Sequence, residues 1–391
     1  MTIRDTAANG EAKRPSRSEA ASGRSDRKPA RGKARHLSLA LQGGGSLGAF
    51  TWGVLDRLLE EEDLTFDAIS GASAGAGNAV VLAGGLLAGG KPEARRRLDH
   101  FWERLSQMAP PKGGATASLF ADMASRFLSP YQLNPFNLNP LEALLSAEVD
   151  FEALRADPPV RLLIAATAVT SGRLQIFRET ELTRDMVLAS MCLPMLTQAV
   201  QIKGERYWDG GYSANPPLTA LVEASDASDL LIVQIMPTAG QDLPASAPDI
   251  VKRLEQITFN GVFLREAAAL TAMARVAGSG SQDPAFSRKL HRLRLHHLSA
   301  EREMSALSEA SGGNLEWPFL LSLRESGRAA AEDWLAHGVS EPIMEKGRLQ
   351  AAIRTHVRKM LQRLTARQHA NRDPKRSTQT CIKSDREEPG S

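Results

Sequence analysis

Phe66-Asp67-Ala68-Ile69-Ser70-Gly71-Ala72-Ser73-Ala74-Gly75 decides how this chain is read. Phe66–Ser70 reads as a short strand, and Ala76–Leu82 beyond it reads as a helix. Between them stands Gly-x-Ser-x-Gly, a strand-to-helix turn so tight that only small neighbours fit, with the serine Oγ held at its apex. Gly71 and Gly75 lack a Cβ, so the strand and the helix can close around Ser73. The turn also sets Ser73 at the positive end of a helix, where a developing oxyanion is favoured. A glycine-rich turn whose serine only caps a helix has the same letters. The rest of the chain must therefore supply the other parts of a serine hydrolase.

Upstream, Leu37–Gln42 alternates as a buried strand and runs into Gly43-Gly44-Gly45-Ser46-Leu47-Gly48, after which a helical pattern begins near Ala49. Such a loop presents free backbone N–H groups at a helix start, which suits an anionic oxygen. Gly43, Gly45 and Gly48 also satisfy Gly-x-Gly-x-x-Gly, the phosphate cradle of a dinucleotide site. That site wants an acidic residue at the end of the next strand. Asp67 lies at the start of its strand instead, and the strand delivers Ser73. An oxyanion hole formed by Gly43, Gly44 and Gly45, aided by the N–H of Ala74, is the better reading.

The third piece is Asp209, in Trp208-Asp209-Gly210-Gly211 after a hairpin-like stretch that turns at Lys203-Gly204-Glu205. Asp-Gly-Gly is a common turn signature. Beside an elbow and a glycine loop, Asp209 is the natural base for the serine proton.

Together these motifs resemble the patatin-like phospholipases, serine lipid acyl hydrolases in which a glycine-rich oxyanion loop, a Gly-x-Ser-x-Gly elbow and an Asp-Gly-[Ala/Gly] motif occur in this order. Leu188–Pro194 is similar to the segment that the family places before its catalytic hairpin. Ile257–Asn260, Arg265-Glu266 and Gly327–Ala331 resemble bacterial members in particular, and the likeness extends from about Arg35 to about Leu335. Leu47 departs from the Lys or Arg that many members carry before the last loop glycine.

The resemblance implies a three-layer α/β/α fold around a central, mostly parallel sheet, and a Ser73–Asp209 dyad that works through an acyl-enzyme. Gly48, Gly71, Gly75, Gly210 and Gly211 are its motif glycines. The alternative mechanism is a Ser–Asp–His triad, because six of the eight histidines, including His296 and His297, follow Asp209. No cofactor is expected, and no metal, since no Cys, His and carboxylate residues cluster at ligand spacing. The leading substrate is a lipid ester. A storage polyester such as polyhydroxyalkanoate, or another carboxylester, is the alternative, and a non-catalytic lipid-binding protein is a third reading.

At 391 residues and 42% hydrophobic content, the chain can bury a sizeable core. Cys192 and Cys381 lie far apart, so no disulfide framework is expected and a reducing, cytoplasmic compartment is the default. Ala79–Ala88 is the longest apolar run, too short to span a bilayer. The expected organisation is a disordered basic tail over 1–34, a catalytic core over 35–240 and a helical extension over 241–366 packed on the core. That extension holds one further strand near 290–298, and a second disordered tail covers 367–391. The charge of the tails suits peripheral association with an anionic membrane surface, and no specific nucleic-acid partner is expected. Leu119, Phe120, Met123, Phe127 and Leu128, followed by the proline-punctuated Tyr131–Pro140, read either as a lid or interfacial docking surface or as a cover for the sheet edge.

Overall fold

In β1 (Arg35–Leu41), Leu37, Leu39 and Leu41 point into one apolar layer and Ala40 into another, the period-two pattern of a strand buried on both faces. The computed structural model describes residues 35–108, 129–237, 243–276, 284–300 and 313–338. Both basic tails and the stretch Leu119–Leu128 lie outside these residues. Around β1 run β2 (Leu64–Gly71), β3 (Arg161–Ala168), β4 (Leu174–Arg178), β5 (Val200–Ile202), β6 (Glu205–Asp209), β7 (Asp229–Gln234) and β8 (Arg294–Ser299). The order is β5-β6-β3-β2-β1-β7-β8, with β4 also paired to β3. From β3 to β8 along that order every pair is parallel, and β4, β5 and β6 pair antiparallel.

Helices cover both faces. On one lie α1 (Gly48–Leu58), α2 (Ala74–Ser106) and α10 (Trp317–Asp333), burying Phe50, Trp52, Val81 and Leu320. On the other lie α7 (Leu218–Ala224), α8 (Ala247–Val276) and α9 (Pro284–Arg292), which contribute Leu221, Phe263 and Leu290. The short helices α3 (Pro130–Leu133), α4 (Pro140–Glu148), α5 (Phe151–Ala156) and α6 (Arg184–Ser190) connect α2, β3 and β5. The run Ala79–Ala88 belongs to α2, which breaks at Gly89–Gly90 and folds back. A Cβ on Gly85 would sit 2.3 Å from the Ala94 Cα. No helix among the described residues is long and apolar enough to cross a membrane.

One polar cluster ties the first face together. Asp56 on α1 is 2% exposed, and its carboxylate accepts from Arg95 Nε at 2.6 Å and Arg324 Nη2 at 3.0 Å, with Arg328 on the same oxygen as Arg324. Burial is the largest single influence and raises its pKa, but the three arginines together outweigh it and hold the carboxyl below the usual carboxylate value. Asp56→Ala would leave three guanidiniums facing a void, so it should cost about 3 kcal/mol in chemical denaturation.

The sequence alternation of Leu290–Leu295 suggests a strand, whereas α9 continues to Arg292 and β8 starts at Arg294. Leu290 and Leu293 are both buried three residues apart, a spacing that a helix end satisfies as well as a strand does. β8 then completes the sheet beside β7.

The position of β6 matters most. Leu163 and Ile164 lie on an edge of β3 opposite β4, and that edge is taken by β2 as far as Gly71, which pairs with Ile164. Ala166 and Thr167 also pair with β4, so their other partner, β6, must lie on the edge that β2 has just left. Asp209 pairs with Ala166, two residues past Ile164, and Ser73 is two residues past Gly71. The sheet register therefore sets Asp209 beside the turn that carries Ser73.

Candidate active site

Ser73 sits at φ 54° and ψ −128°, a left-handed backbone rare for a residue with a side chain. Its N–H is held by Ser190 of α6, by the carbonyl at 3.1 Å and by Oγ at 3.2 Å. The turn closes with the Gly75 N–H on Ala72 O at 2.9 Å. A Cβ on Gly75 would lie 2.2 Å from the Leu41 carbonyl, so only glycine lets α2 start against the end of β1.

Asp209 ends β6 and is 0% exposed. Its N–H donates to Cys192 O at 2.8 Å, its carbonyl accepts from Thr167 Oγ1 at 2.8 Å, and its Oδ1 accepts from the Gly211 N–H at 2.7 Å. Oδ2 is buried with no hydrogen-bond partner. Burial pushes the Asp209 pKa up to about 7, and the nearby Glu255 carboxyl adds to the rise. The Ser73 hydroxyl and the Gly211 N–H pull the other way. The hydroxyl thus lies close enough to influence the carboxyl without meeting Oδ2 in hydrogen-bond geometry.

The glycine loop lies over Ser73. A Cβ on Gly43 would fall 2.6 Å from the Ser73 Cβ. The Gly43 N–H, expected as an oxyanion donor, instead donates to Asn215 Oδ1 at 2.7 Å, and Asn215 Nδ2 reaches back to Gly43 O at 3.3 Å. The N–H groups of Gly44, Gly45 and Ala74 have no acceptor among the described residues. Gln42 anchors the loop from below. Its Oε1 accepts from the Ile235 and Met236 N–H groups, both at 2.8 Å, and its Nε2 donates to Asn260 Oδ1 at 3.2 Å. Gly48 packs on Ala74, and the Asn78 side chain donates to the carbonyls of both at 3.1 Å. Leu47 is buried in the core.

Gly71 closes against Gly75, and Gly210 leaves room for the Ala165 carbonyl, 2.2 Å from where its Cβ would be. Gly211 lies against the Phe259 ring, which meets Tyr212 edge-on at 5.1 Å. One turn before Phe259 on α8, burial raises the pKa of Glu255. Burial also raises that of Tyr212.

Other sequence candidates are held elsewhere. His296 Nε2 bonds Asp229 Oδ1 at 2.8 Å and His297 Nε2 bonds Gln234 Oε1 at 2.8 Å. Among the described residues no histidine bonds Ser73 or Asp209, and His356 and His369 lie outside them. Asp67 accepts from the Asp226 N–H at 2.7 Å and from Ser225 Oγ at 2.9 Å, far from the glycine loop. The nucleotide reading therefore loses its acidic partner.

Sequence reasoning passed over Asn215, Gln42, Ser190, Asn260 and Glu255. Asn215 stands before two prolines, a setting that marks only a helix start, and a lone amide or carboxylate carries no local pattern.

The family model of the patatin-like phospholipases matches residues 39–222, a span that contains the glycine loop, Ser73 and Asp209. Residues 39–222 are a patatin-like phospholipase domain. The patatin-like domain ends within α7, so β7, β8, α8 and α10 lie beyond the matched span. Two solved structures are similar to the chain. VipD from Legionella pneumophila is 16% identical, with a TM-score of 0.39, covering 78% of this chain and 67% of that one. ExoU, in its heterodimeric complex with SpcU from the type III secretion system of Pseudomonas aeruginosa, is 17% identical with a TM-score of 0.28, covering 76% and 74%. No curated protein matches the sequence.

Proposed function

We propose that this protein is a lipid acyl hydrolase that works through a Ser73–Asp209 dyad and a covalent acyl-enzyme. The family supports the lipid ester as substrate. The observation that carries the mechanism is the unpartnered Asp209 Oδ2, buried beside a strained serine, with a carboxyl pKa near neutrality. Asp209 takes the Ser73 proton as Oγ adds to the ester carbonyl. The negative oxygen that forms is met by the N–H groups of Gly44, Gly45 and Ala74, a contribution of several kcal/mol in comparable sites. The alcohol leaves with the proton from Asp209, and water then adds to the acyl-enzyme with Asp209 again as base. A lipid store or a short polyester would be handled by the same groups. Assays of phospholipid, lysophospholipid, triacylglycerol and short polyester side by side test the substrate class, and loss of all four activities would exclude the proposal.

Asn215 is the positioning residue of this scheme, since it binds both polar atoms of the Gly43 peptide and so aims the next two N–H groups. Asn215→Ala should lower kcat about tenfold to a hundredfold. KM for a soluble ester should change little, and Asn215→Asp, which keeps the acceptor, should recover part of the loss. A change confined to KM would assign Asn215 to substrate binding instead.

Exposed apolar side chains border the site. Tyr131, Leu133, Phe136 and Leu138 are all exposed, as are Met195 and Leu196 in the loop between Ser190 and β5. Tyr131 OH accepts from the Ala199 N–H at 3.3 Å, and Gln198 Nε2 donates to Asn134 O at 2.7 Å, so the two segments form one rim. This rim is suited to a lipid interface. Phe136→Ser with Leu138→Ser should reduce hydrolysis of vesicle lipid at least about fivefold more than hydrolysis of a soluble ester, because each side chain contributes roughly 1.5–3 kcal/mol when buried.

A further inference from the structure

Where the parallel strands begin, at the end of the sheet remote from Ser73, the loop Ser225–Ser228 and α9 enclose a cavity of about 230 Å³. β7 separates this cavity from the glycine loop by roughly 20 Å, the length of a six-residue strand. Val222, Leu230 and Leu293 make its floor, and Arg288, Lys289 and Arg292 stand on its wall with one carboxylate, Asp226.

That carboxylate is already committed. Asp226 Oδ2 accepts from Arg161 Nη2 at 2.6 Å and its Oδ1 lies 3.8 Å from Lys289 Nζ, and Arg161 holds its pKa below the usual range. Lys289 also donates to Glu223 O at 2.8 Å. Arg288 and Arg292 are different. One helical turn apart on α9, they lie on the same side of the helix, and neither has an ion-pair or hydrogen-bond partner among the described residues. Arg104, Arg178 and Arg206 are also unpaired among the described residues, so what sets Arg288 and Arg292 apart is that both line one cavity. Helix-dipole complementarity accounts for cations in the last turn of α9. It does not account for Arg288, which lies before that turn, nor for the cavity beside it.

Two unpaired guanidinium forks over a concave, partly apolar wall match a dianionic phosphate on a small organic group. A bilayer bound at this end of the sheet would hold Ser73 away from its lipid, so the source of the phosphate is soluble. We infer that this cavity binds a small phosphate monoester at a site separate from Ser73.

Titration calorimetry of the full chain with inorganic phosphate and with glycerol phosphate tests this. Both should bind, glycerol phosphate the tighter because its carbons reach Leu230 and Leu293, and both should weaken as salt is raised. R288A and R292A should each weaken binding about tenfold or more, and R288K with R292K should bind less tightly than wild type because the fork is lost. The thermal midpoint without ligand and serine-probe labelling should be unchanged in these variants, which separates a lost site from a lost fold. Absence of binding by the wild type, or equal binding by R288A/R292A, would overturn the inference. Arginine-dependent flotation with phosphatidic acid vesicles, without binding of either soluble anion, would overturn the assignment to a soluble ligand.

Discussion

Replacing Ser73 by alanine should abolish ester hydrolysis, with a fall in kcat of about 10⁴-fold or more, because no other side chain among the described residues of the site offers an activated oxygen. A fluorophosphonate probe should label the wild type at Ser73 and fail to label Ser73→Ala. The substitution removes one hydroxyl from a residue that is 5% exposed and keeps the backbone bonds to Ser190, so the fold should persist. Alanine inherits the φ of 54°, and its strain with it. Ser73→Gly should relieve that strain and raise the thermal midpoint while leaving the protein equally inactive. Labelling that survives in Ser73→Ala would place the nucleophile elsewhere.

Asp209→Asn should cost about 10³-fold or more in kcat, and its second signature lies in stability. In the folded protein the carboxyl titrates at about 7, against 3.8 for the unfolded reference. Between these values the native state holds a proton that the unfolded chain has released. The free energy of unfolding therefore falls as pH rises from about 4 to about 7, and levels off above. Three pKa units correspond to a ceiling of about 4 kcal/mol. The neutral asparagine has no such dependence, so the variant should be more thermostable than wild type at pH 8 and no more stable at pH 4. kcat/KM of the wild type should rise with an apparent pKa near 7, since Asp209 works only when ionised. Substantial hydrolysis by Asp209→Asn would exclude the carboxylate as base, and a stability gain equal at both pH values would exclude the buried charge as its cause.

Much of this arrangement was legible because the elbow and the glycine loop are local. Each packs a strand end, a tight turn and a helix start into a few residues, and composition reveals them. The strands β1 and β2 were equally plain, being short apolar runs bounded by turns. What was not legible depends on partners distant in sequence. Asn215 clamps Gly43, and Gln42 and Asn260 brace the loop, through amide side chains that no spacing rule marks. The commitment of the Gly43 N–H to Asn215 removes one expected donor for the same reason. At Leu290–Leu295 the chain satisfied two periodicities, and burial of Leu290 and Leu293 chose the helix end. The placement of His296 and His297 was hidden for the same reason, since Asp229 and Gln234 engage them across the sheet.

Because β6 takes over the edge of β3 where β2 stops, the spacing of Ser73 and Asp209 is set by ladder hydrogen bonds of the sheet. Surface segments between them can lengthen, shorten or change partners without retuning the proton-transfer distance. The hairpin tip at Lys203-Gly204 is such a place, with both residues at positive φ. A single residue added inside β6 is another matter: it would swing the Asp209 carboxylate to the opposite face, away from Ser73. The fold thus leaves its outer segments free to vary, with one short strand as the frame that cannot shift.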